Sequence, residues 1–395
     1  MHSSTSNSDQ APLNASPAET ADDAPHGEST SSGTGHVLLE RPIPRQPWLQ
    51  HLFAAVLGLV VLVGIWEFLM RDKAGLRAGD LGDGRADWIE QRRLVDSASK
   101  DSIVIIGDSR ILFDTDLDTW HALTGQRPLQ LGMMGAGALP VLDNLANDSD
   151  FAGLLVIGTA EFSYFSEGPD SATDALDHRN KQSPSERLGN WLQARLSRHF
   201  AFIDADYALM NLIERLRWPE RENVGSYYYT VWKLAENSAG RQTHLWDRLA
   251  TDPYLLEHAR TMWKLIYAGD PIPEALVSRV IAKTKTDIER IRARGGEVVW
   301  VRPPSAGPIL DIERKRYPRD RVWNRLLRET DTLGIYFDDY PKMRGLTVPD
   351  WSHLDQPSSV KFTDAYVREL VARVDWLKSR QPSIDHAQNA EAIIK

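Results

Sequence analysis

Short apolar strands alternating with helical segments predict an α/β fold: a parallel sheet with helices on both faces, attached to one apolar N-terminal segment. Three observations point there. Apolar runs at Ile103–Ile106 and Leu154–Gly158 each lead into a glycine, as buried parallel strands do. A helical stretch, Val277–Ala293, precedes another apolar run, Glu297–Val301, and strands alternating with helices argue for a parallel sheet. Leu52–Met70 carries a single charge, Glu67, and its length suits the hydrocarbon core of a bilayer.

The chain has 395 residues, 42% hydrophobic and 26% charged, which suits a globular protein with a sizeable core. Its net charge of −9 and lack of a basic cluster argue against a nucleic-acid partner. The absence of cysteine removes disulfides, thiolate metal sites and cysteine nucleophiles. The histidines show no ligand spacing, and no H-E-x-x-H, Walker A or G-x-G-x-x-G motif occurs. No metal and no cofactor are therefore expected.

Residues 1–47 are rich in Ser, Thr, Asp, Pro and Gly without periodicity, and read as a disordered tail. Residues 48–70 form the anchor, with Trp48 and Trp66 near its ends, as interfacial residues are placed. The segment begins too far from residue 1 to read as a cleavable signal peptide. Arg71, Lys73 and Arg77 follow the span and Arg41 and Arg45 precede it, which leaves the orientation open on charge alone. Residues 71–100 read as a linker holding a short helix around Trp88, Ile89, Leu94 and Val95.

The core's first half, 101–165, holds strands at 103–106, 128–132 and 154–158. The second half, 276–377, holds strands at 297–301 and 335–337 and a closing helix over 358–377. Between them, 166–275 shows helical patterns at 187–196 and 207–216 and no convincing strand, so it reads as a helical insert of the kind that walls a site. It carries Trp191, Trp218, Trp232, Trp246 and Trp263, which suit an interface, a sugar-binding surface or simple packing. Residues 378–395 read as a frayed tail.

The passage Ile103–Arg110 runs a buried strand into a Gly107-Asp108-Ser109 turn, at the strand end where open α/β sheets bind ligands. Ser109 is a nucleophile if a histidine reaches it; otherwise Asp108 and Ser109 are helix caps. Two D-x-x-H patterns occur. Asp118-x-x-His121 follows Ser109 closely, and a helical stretch would carry it about 15 Å off, so it reads as a surface pair. Asp350-x-x-His353 lies after the last strand, on the same sheet edge as Ser109. There the carboxylate would hold one imidazole nitrogen, leaving the other for the Ser109 proton.

With Gly107-Asp108-Ser109, Gly135 within Leu131–Gly135, and Asp350-x-x-His353, the chain resembles the SGNH (GDSL-type) hydrolases over 101–165 and 276–375, most closely membrane-anchored bacterial members with a helical insert. The resemblance implies a flavodoxin-like three-layer α/β/α sandwich. It implies Ser109 as nucleophile, His353 as base and Asp350 as its partner, with the Ser109 and Gly135 amides in the oxyanion hole. The family's G-x-N-D block, whose Asn is a further oxyanion donor, is here Gly158-Thr159-Ala160-Glu161, which leaves Thr159 or a residue of the insert as the candidate substitute. Arg110 and Arg302 at the same edge either bind a substrate carboxylate or hydroxyl or serve as salt-bridged scaffolding. Asp114/Asp116/Asp118 and Asp338/Asp339 read as solvated loop faces.

The resemblance implies an esterase or O-acyltransferase at the inner membrane, its catalytic domain periplasmic, acting on acylated envelope or exported polysaccharide. The second reading is an inactive relative that binds glycan or scaffolds a polysaccharide-synthesis complex.

Overall fold

The computed structural model describes residues 46–98, 100, 102–166, 170–214 and 233–379. Most of the expected N-terminal tail, nearly all of the expected C-terminal tail, and Trp218 and Trp232 lie outside the described residues. By contact the chain divides between Val56 and Leu57. Of the first unit, the described residues reach only the opening turns of α1 (Trp48–Asp72); every other element belongs to the second. α1 is long and apolar enough to cross a membrane, and its most apolar window has a mean hydropathy of 2.5 with 0% of it buried.

After α1 come α2 (Arg85–Ser97), β1 (Ile103–Ile106), α3 (Ser109–Asp114), α4 (Leu117–Thr124), β2 (Leu129–Gln130), α5 (Leu139–Asn147), β3 (Leu154–Gly158) and α6 (Glu161–Tyr164). The insert holds α7 (Ser171–Arg179), α8 (Pro184–Ser197), α9 (Leu209–Glu214), β4 (Ala235–Ser238), β5 (Gln242–Leu245), α10 (Asp247–Thr251) and α11 (Pro253–Tyr267). α12 (Glu274–Ala293), β6 (Glu297–Arg302), α13 (Gly307–Arg316), α14 (Trp323–Thr330), β7 (Leu333–Tyr336), α15 (Gln356–Arg373) and α16 (Asp375–Lys378) complete the core.

The main sheet is parallel throughout, in the order β2-β1-β3-β6-β7. Every residue of β1 and β3 is buried, so both sheet faces are covered, as an all-parallel sheet requires. The helices pack in two sets: α12 against α5 and α14, and α15 against α3 and α4. Beside this main core, a smaller one gathers Met70, Phe113, Tyr207, Trp246 and Leu249. Local chemistry starts the helices where they start. Asp108, Asp116 and Asp355 accept from first-turn amides of α3, α4 and α15, and Asp252 caps α11 with Pro253 in its first turn.

Several boundaries differ from the expectation. Strand 128–132 shrinks to Leu129–Gln130 because Gly132 turns away, its amide taken by the Gln130 side chain at 2.9 Å. The last strand ends at Tyr336, since Phe337–Asp339 winds into a 3₁₀ turn. Within 71–100 the expected short helix is α2, which buries Trp88 and Ile89 in the main core, and the Trp88 indole donates to the Leu131 carbonyl at 2.8 Å. Leu94 of the same helix is exposed.

The insert contains an antiparallel hairpin, β4–β5, where the sequence pattern predicts no strand. Ala235–Ser238 and Gln242–Leu245 are mostly polar, so no apolar alternation marks them. Their burial is met by hydrogen bonds instead: Gln242 accepts from the Leu117 amide at 2.6 Å and donates to Asp116 at 3.1 Å. At the turn, Arg241 takes a left-handed φ of 58°. Its guanidinium is clamped by both Asp83 oxygens and the Gln130 carbonyl at 2.5–2.8 Å, which offsets the backbone strain. The hairpin packs on α3 and α15 and so buttresses the helix that begins with Ser109.

α3 sits hard against the sheet. A Cβ on Gly158 would lie 2.1 Å from Cβ of Ile111. Gly158→Ala is therefore expected to cost about 1–3 kcal/mol through overpacking, read as a lowered denaturation midpoint; unchanged stability would contradict this contact.

Candidate active site

Ser109 opens α3 at the carboxyl end of β1, where backbone crowding selects glycine before it. Gly107 has φ +151°, and a Cβ there would sit 2.6 Å from the Gly158 carbonyl oxygen. Asp108 is the N-cap, accepting from the Arg110 amide at 3.0 Å. Its other oxygen accepts from the Ala160 amide at 3.2 Å and from the Ser163 hydroxyl. One carboxylate thus ties the end of β1 to the end of β3. Capping falls to Asp108 and leaves the Ser109 hydroxyl free to face elsewhere.

It faces His353. The imidazole Nε2 lies 2.9 Å from Ser109 Oγ, and Nδ1 lies 2.7 Å from Asp350 Oδ2. Ionised Asp350 can only accept, so in the neutral imidazole Nδ1 carries the proton and Nε2 is the acceptor for the serine hydroxyl. Asp350 also receives the Ser352 and His353 amides at 3.0 and 2.7 Å, as a carboxylate folded back on its own turn. Burial works against its charge, but His353 and these amides hold the carboxyl below the ordinary range. His353 and Asp350 are fully buried, while Ser109 is partly open to solvent.

Two side chains that sequence reasoning missed complete this setting. The Trp263 indole of α11 donates to Asp350 Oδ2 at 2.9 Å, and its ring lies edge-on to the His353 ring with centroids 5.5 Å apart. Phe113 of α3 packs against the same imidazole, centroids 4.5 Å apart. α11 also holds the backbone of this turn, because Arg260 donates twice to the Pro349 carbonyl at 2.6 and 2.9 Å. Trp351, at a left-handed φ of 71°, lies against the Arg260 and Lys264 cations.

The remaining sequence candidates divide. Gly135 has φ +69° and is exposed in the loop after β2. The Met133 amide of that loop donates to the Gly107 carbonyl at 3.0 Å, which holds the loop beside the serine turn. The Ser109 amide lies in the first turn of α3, where no intrahelical acceptor exists. Thr159 cannot offer its amide, which donates to the Val301 carbonyl at 2.9 Å; its buried hydroxyl has no partner among the described residues. Asp118 and His121 lie on exposed positions of α4, with Asp118 paired to Arg127, and are not brought to the site.

Arg110 and Arg302 are held in buried ion pairs. Both are buried and share Glu313, Arg110 through one carboxylate oxygen and Arg302 through the other at 2.6 Å. Arg302 also pairs with Glu161 at 3.1 Å, and Ser305 donates to Glu313 at 2.6 Å. Burial raises the Glu313 carboxyl, but the two guanidinium groups outweigh it and hold it at about 2. Arg110 Nε reaches the Ser352 hydroxyl at 3.3 Å, so this lattice supports the His353 turn from below.

Asp114 and Asp116 are not solvated loop residues. Asp116 caps α4. Asp114, wholly buried, accepts from the Leu354 amide at 2.8 Å and so fastens the end of α3 to the residue after His353. Burial drives its carboxyl well above the ordinary value, against the pull of the Leu354 amide and Arg110 and with the push of Asp350 and Asp108. Asp338 and Asp339 do meet solvent, where they pair with Arg314 and Arg319.

A cavity of about 560 Å³ opens between α2, α8 and the β4–β5 hairpin, with Met134 in its wall one residue before Gly135. Among its acidic lining residues, Asp80 and Asp204 share the Lys233 ammonium.

Folding favours the neutral form of a carboxyl whose folded value is raised. Its stabilisation is present below the unfolded value and is lost as pH rises through the folded one. Asp114→Asn keeps the acceptor for Leu354 and removes the titration. The variant should lose less stability than the parent chain between mildly acidic and alkaline pH in denaturant titrations; parallel pH dependences would contradict the raised value. Glu313 has the opposite sign. Its contribution is full above its unfolded value and is lost as pH falls through about 2. Glu313→Gln should cost about 3–5 kcal/mol at neutral pH by leaving the buried Arg110 cation without its carboxylate partner, measured by the same titrations.

No protein-family model matches the chain, and neither does any curated protein sequence.

Proposed function

We propose that the chain is a membrane-anchored serine ester hydrolase or O-acyltransferase of the SGNH (GDSL-type) kind. The observation that carries this reading is the linear relay Asp350–His353–Ser109, with contacts of 2.7 and 2.9 Å at the carboxyl edge of a parallel sheet. Leaving the hairpin aside, the sheet order reads 2-1-3-4-5, which supports a flavodoxin-like three-layer sandwich.

In the proposed reaction Ser109 Oγ attacks the ester carbonyl carbon while its proton passes to His353 Nε2. Asp350 stabilises the imidazolium that forms. The amides of Ser109 and Gly135 receive the oxyanion, with the Thr159 hydroxyl, which has no partner among the described residues, as the candidate third donor. Collapse breaks the ester C–O bond, and the leaving alcohol takes the proton from His353. Water or a sugar hydroxyl, deprotonated by His353, then attacks the acyl-serine; the acyl carbon–Ser109 Oγ bond breaks, His353 returns the proton to Ser109 Oγ, and a free acid or a new ester leaves.

By the same resemblance we place the site in the periplasm, with α1 spanning the inner membrane and acylated envelope or exported polysaccharide as the substrate. A second reading, a non-catalytic protein that binds glycan or scaffolds polysaccharide synthesis, is favoured by one observation. Ala160 stands where the family carries the oxyanion asparagine, and its amide is taken by Asp108.

A fluorophosphonate probe separates the two. The parent chain should be labelled and Ser109→Ala should not, with kcat/KM on p-nitrophenyl acetate falling by roughly 10⁴–10⁶. A parent chain that neither reacts with the probe nor cleaves the ester would sink the enzyme reading. A reporter fused after Lys395 that works only in the cytoplasm would overturn the topology.

A further inference from the structure

α8 has two unlike sides. At about 100° per residue, Glu186, Asn190, Gln193 and Ser197 share the side that walls the 560 Å³ cavity. Leu188, Trp191, Leu192 and Leu196 lie away from it, and all are exposed, Leu188 at 58% and Trp191 at 51%. Arg195 lies within this stripe and stacks on the Trp191 ring at 4.2 Å. Phe200, just beyond α8, is exposed as well, and on α9 so are Leu209, Met210 and Ile213, Met210 at 64%. Leu212 of α9 turns inward, against the smaller core. Soluble surfaces rarely expose so many large apolar side chains together without a partner.

The end of α1 is fastened between these two helices. Trp66 and Met70 pack into the smaller core, so the helix joins the domain from Trp66 onward. Glu67 accepts from the amides of Ala201 and Phe202, both at 3.0 Å, and Arg71 donates to the His199 carbonyl at 3.1 Å. Residues 199–202 lie in the connection that leads from α8 to α9. The last turns of the apolar helix therefore grip the very segment that joins the two exposed apolar faces. A tryptophan, leucines and a stacked arginine on one helical side are the composition of a helix lying in a headgroup layer, where Arg extends its charge to water.

We propose that the exposed faces of α8 and α9 rest on the lipid surface that α1 enters, so that the domain is docked on its membrane and not merely tethered to it. This rests on α1 crossing a bilayer, and the test reports that separately.

The chain has no cysteine, so single cysteines label cleanly. Leu192→Cys, Met210→Cys, Val60→Cys on α1 and Lys361→Cys at an exposed position of α15 would each carry an environment-sensitive fluorophore. The full chain is reconstituted in phosphatidylcholine–phosphatidylglycerol vesicles with and without lipid spin-labelled below the headgroup. Quenching at 192 and 210, as at 60 and unlike 361, is the expected result. Quenching at 60 alone overturns the docking and leaves the anchor standing; no quenching at 60 overturns both. Shielding at 192 that grows with protein concentration and ignores the spin label assigns the patch to a second copy and also overturns the proposal.

Discussion

Glu313, held between two buried arginines, is the interaction on which the sheet edge depends. Arg110 belongs to the helix that begins with Ser109, Arg302 ends β6, Glu161 begins α6, and Glu313 lies in α13. Four elements thus meet through charges that are all buried. Such a lattice is expensive to desolvate and adds little net stability over an apolar packing of equal volume. What it does supply is geometry, since each guanidinium has directional donors that match carboxylates only in one arrangement. Ser352, hydrogen-bonded to Arg110, passes that geometry on to the turn carrying His353.

The insert shapes the site as much as the core does. β5 packs on α3, and α11 grips the Pro349 carbonyl, the Trp351 ring and the Asp350 carboxylate. The left-handed backbone at Trp351 persists because cations from α11 and the Ala306 amide, which donates to the Trp351 carbonyl at 3.0 Å, hold it from several sides.

The core strands were legible because buried parallel strands are apolar on both faces, and β1 and β3 appear at the residues their sequence marks. The Ser109, Asp350 and His353 arrangement was legible for a topological reason: loops that follow parallel strands open on one edge. Partners joined only by folding were not. Glu313 and Glu161 look like any helix-surface acids, and Trp263 stands 87 positions from the carboxylate it meets. The hairpin escaped because its burial is satisfied by Gln242 and Thr243 hydrogen bonds and leaves no apolar rhythm. Asp114 escaped because an acidic cluster reads as solvated unless the fold brings Leu354 over it.

The Trp263 indole and the His353 ring draw on the same oxygen of Asp350. That oxygen has a lone pair for each donor, so α11 and the His353 turn are joined through a single atom. A shift of either ring bears on the other through the Asp350 carboxylate, and an ultraviolet chromophore sits at the joint.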